Sequence, residues 1–195
     1  MVYLFIIIIC MMIIFLVNLL FNPLFPWYYY LFSTIIFTVL VILIDGLVAL
    51  VIRKMPEKYF DYHKKIFNPS KKHLAFYENM GVKRWKEKVP ELGCFTNFRK
   101  NKIDSPNDPE YIRRYILEAC YGVIIHYVSV PFSFVIMIFD IYMYQGKSNI
   151  FLTIALPVAL VNAVLILLPS FILRYNLPKL IRIYEIKKKA SQNND

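Results

Sequence analysis

Acidic side chains are in short supply in this chain, thirteen against twenty-three lysines and arginines, and cysteine, glycine and tryptophan are rarer still. Each shortage closes a class of function. The three cysteines, Cys10, Cys94 and Cys120, fall in two apolar runs and one basic loop. They form no CxxC pair and have no histidine at ligand spacing, which argues against a disulfide framework or a zinc site. The five glycines, at 46, 81, 93, 122 and 146, are scattered, so there is no GxGxxG and no phosphate loop. HExxH and GxSxG are missing as well. The sequence calls for no metal and no cofactor, and it gives no reason to expect a nucleic-acid partner.

Hydrophobic residues, by contrast, make up 58% of the chain, and the mean hydropathy is +0.50. They are gathered into four long apolar runs, which predict an all-α integral membrane protein forming a single domain over residues 1–195. The first span is expected at about 2–21. A cleaved signal peptide is the rival reading, but the start has no basic n-region and no small-x-small site follows. Asn22-Pro23-Leu24-Phe25-Pro26 reads as a turn, and Trp27-Tyr28-Tyr29-Tyr30 as an aromatic belt opening the second span, at about 28–52. Asp45 lies inside that span, where a carboxylate must face protein or a water-filled cleft.

Residues 53–118 are polar, basic and aromatic, with sixteen Lys and Arg against nine Asp and Glu. They predict short helices lying in the membrane interface, with Tyr59-Phe60, Phe76-Tyr77 and Trp85 dipping into it. Asp108-Pro109-Glu110 has the form of an N-cap, an N1 proline and an early acid, and starts a helix running into the third span, at about 119–143. The fourth span, at about 150–173, follows the short turn Gln145-Gly146-Lys147-Ser148-Asn149. Asn162, within it, is expected to hydrogen-bond another helix. A basic tail, 174–195, carries six Lys and Arg against two acids. Both basic segments lie on one side of a four-span chain, so they and both termini are expected in the cytoplasm, with the protein multi-pass in the cell membrane.

The polar chemistry collects at the third span. Glu118 stands at the membrane boundary and His126 just inside, about 12 Å and 80° apart on a straight helix. Gly122, one turn from each, admits a close neighbour. Arg174 and Asn176 leave the fourth span on the same face of the membrane. An imidazole in its neutral form can take a proton from a hydroxyl, and an arginine with an amide can hold a phosphate or a developing oxyanion. The plainer readings are that His126 and Glu118 are paired structurally, Glu118 with Arg113 or Arg114, and that Arg174 is a positive-inside anchor. His73 five residues before Glu78 is a weak echo of an HxxxxD acyltransferase signature.

Arg53-Lys54-Met55-Pro56-Glu57-Lys58-Tyr59-Phe60, Lys83-Arg84-Trp85-Lys86, the spaced Glu118 and His126, and Arg174-Tyr175-Asn176-Leu177-Pro178-Lys179-Leu180 occur in that order. Together, from about Arg53 to Arg182, they resemble the glycosyl-4,4'-diaponeurosporenoate acyltransferase family of bacterial membrane proteins. The resemblance implies transfer of a fatty acyl group to a hydroxyl of a glycolipid or glycosylated carotenoid. It implies His126 as general base, Glu118 as an orienting or binding group, and Arg174, Asn176, Trp85, Lys86 and Tyr121 as substrate-binding residues. The acyl donor would be acyl-CoA, an acyl carrier protein or a lipid, and oligomeric state is left open. Against the family pattern, Tyr121 and Val123 stand where an Arg and a Glu are expected, and Ile166 and Leu173 where an Asn and a Gln are. That departure favours an alternative: a non-catalytic lipid-binding or scaffold protein of the same descent.

Overall fold

A computed structural model of the chain describes residues 2–22, 24–89, 105, 108–138 and 151–192. Among these the secondary structure is entirely helical, and four helices are long and apolar enough to cross a membrane: Leu4–Phe21, Trp27–Arg53, Pro109–Ile138 and Leu152–Lys189. The expected turn at 145–149, Asp140, Cys94 and the breaks at Pro90 and Pro106 lie outside the described residues. Contacts divide the chain into two compact units, residues 1–51 with 127–167 and residues 52–126 with 168–195.

The first unit contains α1 (Val2–Phe21) and most of α2 (Trp27–Arg53). Both are nearly continuous apolar sequence, which satisfies its backbone internally and so can face hydrocarbon. Phe21, Leu20 and Leu43 are 81%, 71% and 57% exposed, as lipid-facing side chains must be in a protein without bilayer. The turn between the helices is tied by Tyr30. Its hydroxyl donates to the Asn22 carbonyl and accepts the Phe25 amide at 3.1 Å, while the ring is fully buried. The aromatic belt is therefore divided: Trp27 and Tyr28 are exposed, but Tyr30 is a core residue. Thr34 and Thr38 return their hydroxyls to the carbonyls four residues back, each at 2.8 Å, and so lie in the helix without an unmet donor. Around Tyr30, Phe37 and Val41 the unit packs Ile14, Ile136, Ile154 and Val158.

In the second unit, the stretch after α2 forms a 3-10 turn at Glu57–Phe60, α3 (Lys71–Asn79) and α4 (Val82–Trp85). Gly81 joins the last two with φ of +69°, a left-handed conformation that only glycine adopts without strain. The aromatics of this stretch do not all dip outward as expected. Tyr59 and Phe76 are half exposed, but Phe60 and Tyr77 are 4% and 2% exposed and pack into the protein. The physical reason is local: in a helical turn adjacent residues point about 100° apart, so one of each pair faces lipid or solvent and the other the core.

Helix α5 (Pro109–Phe132) starts where the sequence predicts, with the Asp108 carboxylate accepting the Glu110 amide at 2.9 Å. The final helix, α6 (Leu156–Gln192), carries Arg174-Tyr175-Asn176-Leu177-Pro178-Lys179 and most of the basic tail as one element, passing through Pro169 and Pro178 without interruption. At 37 residues it is about 55 Å long, well beyond a hydrocarbon core of about 30 Å, so its basic end extends past the apolar zone. Pro178 has no amide hydrogen to give the Arg174 carbonyl, and the helix nonetheless continues past it.

Candidate functional site

All the site residues expected from sequence fall in the second unit, on α4, α5 and α6 or, for Lys86, just past α4. The tightest point between them is at Gly122. A Cβ added there would lie 2.7 Å from Leu173 Cδ1, closer than real side chains pack. The absent side chain of Gly122 thus makes the room that Leu173 fills. Because Gly122 is one turn from both Glu118 and His126, and Leu173 precedes Arg174, this contact brings the two ends of the expected constellation to one level of the unit.

The side chains around that point are arranged as follows. Glu118 is held by Arg53, Oε2 to Nη1 at 2.7 Å, with both groups partly exposed. The plainer reading of Glu118 paired it with Arg113 or Arg114. Arg113 instead binds Glu110 at 2.9 Å and Glu57 at 3.3 Å. Arg53 escaped the sequence reading because it is 65 residues from Glu118, and the available signal was its position as the last basic residue of a span ending on the same side. His126 is partly buried on α5 and has no hydrogen bond to a described residue. Tyr121 is buried, its ring 4.3 Å from that of Phe60.

Arg174 donates to the Tyr77 hydroxyl at 2.8 Å, lies over the same ring at 5.8 Å, and reaches the Lys65 carbonyl at 3.4 Å. Tyr77 in turn belongs to a buried cluster with Val82, Ile172 and Tyr175, against which Trp85 packs. Trp85 donates its indole N–H to the Met80 carbonyl at 3.0 Å, so it is anchored within the protein rather than free in the interface. Lys86 and Lys179 both lie over the ring of Tyr175, at 5.9 and 4.5 Å. Asn176, next along α6, is partly buried. The sequence named Tyr77 only as an interfacial aromatic and Tyr175 and Lys179 only as members of a motif, since the contacts they make here depend on how α3, α4 and α6 meet. His73 is bound by Ser70 at 2.9 Å in the first turn of α3.

A second polar group lies in the first unit. Asn162 Nδ2 donates to Asp45 Oδ2 and to Ser133 Oγ, each at 2.9 Å, and Ser133 donates to the Ser129 carbonyl at 3.0 Å. The carboxylate expected to need a helical neighbour and the amide expected to bridge helices are thus each other's partner. A recess beside them is lined by Ile7, Cys10, Thr38, Val158 and Asn162. Among the described residues no group of His, Cys, Asp and Glu could hold a metal.

Four helices long and apolar enough to cross a membrane define a polytopic membrane protein, with a polar, cation-rich cluster in its second unit. Residues 56–186 match the family model described as glycosyl-4,4'-diaponeurosporenoate acyltransferase, about two-thirds of the chain and every site residue named above except Arg53. The chain belongs to this family, one of acyltransferases of carotenoid biosynthesis. No curated protein and no solved structure matches it.

Proposed function

We propose that this protein transfers a fatty acyl group to a hydroxyl of a glycolipid or glycosylated carotenoid, at the cytoplasmic side of the cell membrane, with both termini in the cytoplasm. The observation that carries the reading is the Gly122 and Leu173 contact, which aligns α5, bearing Glu118 and His126, with α6 at Arg174. In this reaction the neutral imidazole of His126 takes the proton of the acceptor hydroxyl as its oxygen attacks the acyl carbonyl. The carbonyl π electrons move onto oxygen, where Arg174, oriented by Tyr77, and Asn176 stabilise the charge. Collapse expels the donor's leaving group, which takes the proton back from the imidazolium. Glu118, held by Arg53, orients the polar headgroup at the boundary, and Trp85, Lys86 and Tyr121 shape the donor side.

The test is acyl transfer from labelled acyl-CoA or labelled phospholipid to extracted membrane glycolipids by the purified full chain. His126→Ala should lose activity by a factor of about 10² to 10⁴ while inserting and unfolding like the parent. Retained turnover in that variant rejects the assignment.

A second reading is favoured by one observation. Leu173 occupies the notch at Gly122 where a substrate chain would otherwise approach α5, and Glu118 is already neutralised by Arg53. A non-catalytic lipid-binding or scaffold protein would have this packing, and would give no acylated product at any pH.

A further inference from the structure

Tyr121 has a buried ring and an unbound hydroxyl. The residue is 7% exposed and its ring lies 4.3 Å from that of Phe60, yet among the described residues the phenol has no hydrogen-bond partner. Glu57, Glu118 and Arg53 are the charged groups that act on it, and all belong to the second unit. Local geometry brings them there from two directions. Glu118 is three residues before Tyr121 on α5, so their β carbons are about 5–6 Å apart on one face of the helix. Glu118 in turn holds Arg53 at 2.7 Å. Glu57 and Phe60 are three residues apart in a 3-10 turn, where such side chains eclipse, and Phe60 is the ring that packs on Tyr121. The side chains of Glu118 and Glu57 remain 26% and 60% exposed, so a ligand can reach both.

The bonding capacity left over defines that ligand. Glu118 accepts from Arg53, and Glu57 from Arg113, through Oε2 alone, so among the described residues Oε1 of each carboxylate accepts nothing. Arg53 donates through one nitrogen, Nη1, and keeps its other N–H groups. Both guanidiniums are already answered by carboxylates, so neither is held in reserve for an anion. An ammonium would meet the carboxylates but be repelled by Arg53. A neutral molecule with adjacent hydroxyls uses the whole set, because each hydroxyl donates to a carboxylate oxygen and accepts from the guanidinium or the phenol. That is the chemistry of a sugar ring.

We infer that the Tyr121 hydroxyl, Glu57 and the Glu118 and Arg53 pair form a seat for the sugar headgroup of the acceptor. Calling the bound molecule the acceptor rests on the acyl-transfer reading, whereas the seat itself requires only binding. Tyr121 then meets both substrates, its ring bounding the donor side and its hydroxyl the sugar.

The full chain is reconstituted in nanodiscs of phosphatidylcholine and titrated with fluorescent probes that share one short alkyl chain and end in glucose, in phosphate, in an amine or in a plain hydroxyl. The parent should hold the glucose-ended probe about tenfold more tightly than the plain alcohol. Tyr121→Phe keeps the ring on Phe60 and removes only the hydroxyl. It and Glu57→Gln should each weaken the glucose-ended probe about fivefold and leave the alcohol unchanged. Glu87→Gln, which removes an exposed acid just past α4, should bind as the parent does. Tighter binding of the phosphate-ended or amine-ended probe overturns the sugar assignment. Equal binding of glucose and alcohol overturns it too, as does a glucose preference that survives Tyr121→Phe or that Glu87→Gln reduces as much. The acyl-transfer reading fails separately: if the parent holds the glucose-ended probe and yields no acylated product, the seat stands in a lipid-binding protein, and if transfer proceeds without the preference, the seat alone falls.

Discussion

Leu173 Cδ1 lies 2.7 Å from the point that a Cβ on Gly122 would occupy, so the two residues share one space between α5 and α6 within the second unit. The contact lies between Glu118 and His126 along α5 and directly before Arg174 on α6. Packing and chemistry are therefore tied at one level of the structure, and a change in the first should be felt in the second.

Gly122→Ala should destabilise the protein by about 1 kcal/mol or less, since the added methyl meets only the Cδ1 end of Leu173, which can turn aside. Leu173→Ala in the same chain should restore much of that loss. Thermal unfolding in detergent for the two single variants and the double reads the coupling. Additive losses would mean that the two side chains do not share the notch.

Tyr77→Phe removes the hydroxyl that Arg174 donates to and leaves the ring in place. Tyr77 is a positioning residue in this view. The expected result is a fall of about tenfold in kcat/KM for acyl transfer, equivalent to one charge-assisted hydrogen bond of roughly 1.5 kcal/mol. Stability should change much less than activity. A fall in melting temperature with kcat/KM unchanged would assign Tyr77 to packing alone.

Arg53 and Glu118 are partly exposed, so their ion pair should contribute only about 0.2–1 kcal/mol to stability in a double-mutant cycle. Raising the salt concentration should shrink the coupling further. A coupling of several kcal/mol would mean that the pair is far drier than its exposure indicates.

In the first unit, Asn162→Ala leaves the Asp45 carboxylate without its amide donor in an apolar surrounding, at a cost of about 1–3 kcal/mol. Replacing both together, Asp45→Leu with Asn162→Leu, should cost less than the single change, because no carboxylate is then stranded. Unfolding of the two variants in detergent makes the comparison.

Some of this was legible in the residues themselves. Runs of about 20 apolar side chains have one stable solution in a bilayer, the helix, because every backbone amide must be satisfied within the segment. The start of α5 at Asp108-Pro109 follows from groups adjacent in the chain, and the need of Asp45 and of Asn162 for some partner on a neighbouring helix follows from the cost of leaving either alone in hydrocarbon, though not that each would meet the other. The ordered motifs from Arg53 to Arg182 were enough to identify the family. What only the folded chain decided are the pairings across long separations: Arg53 for Glu118, Tyr77 under Arg174, Tyr175 beneath two lysines, and Leu173 in the space left by Gly122. A cation in a basic segment has many acids and rings within reach of its charge. Which one it meets depends on the rotation and depth of the helices that carry them, and packing sets those after the local sequence has already made each helix.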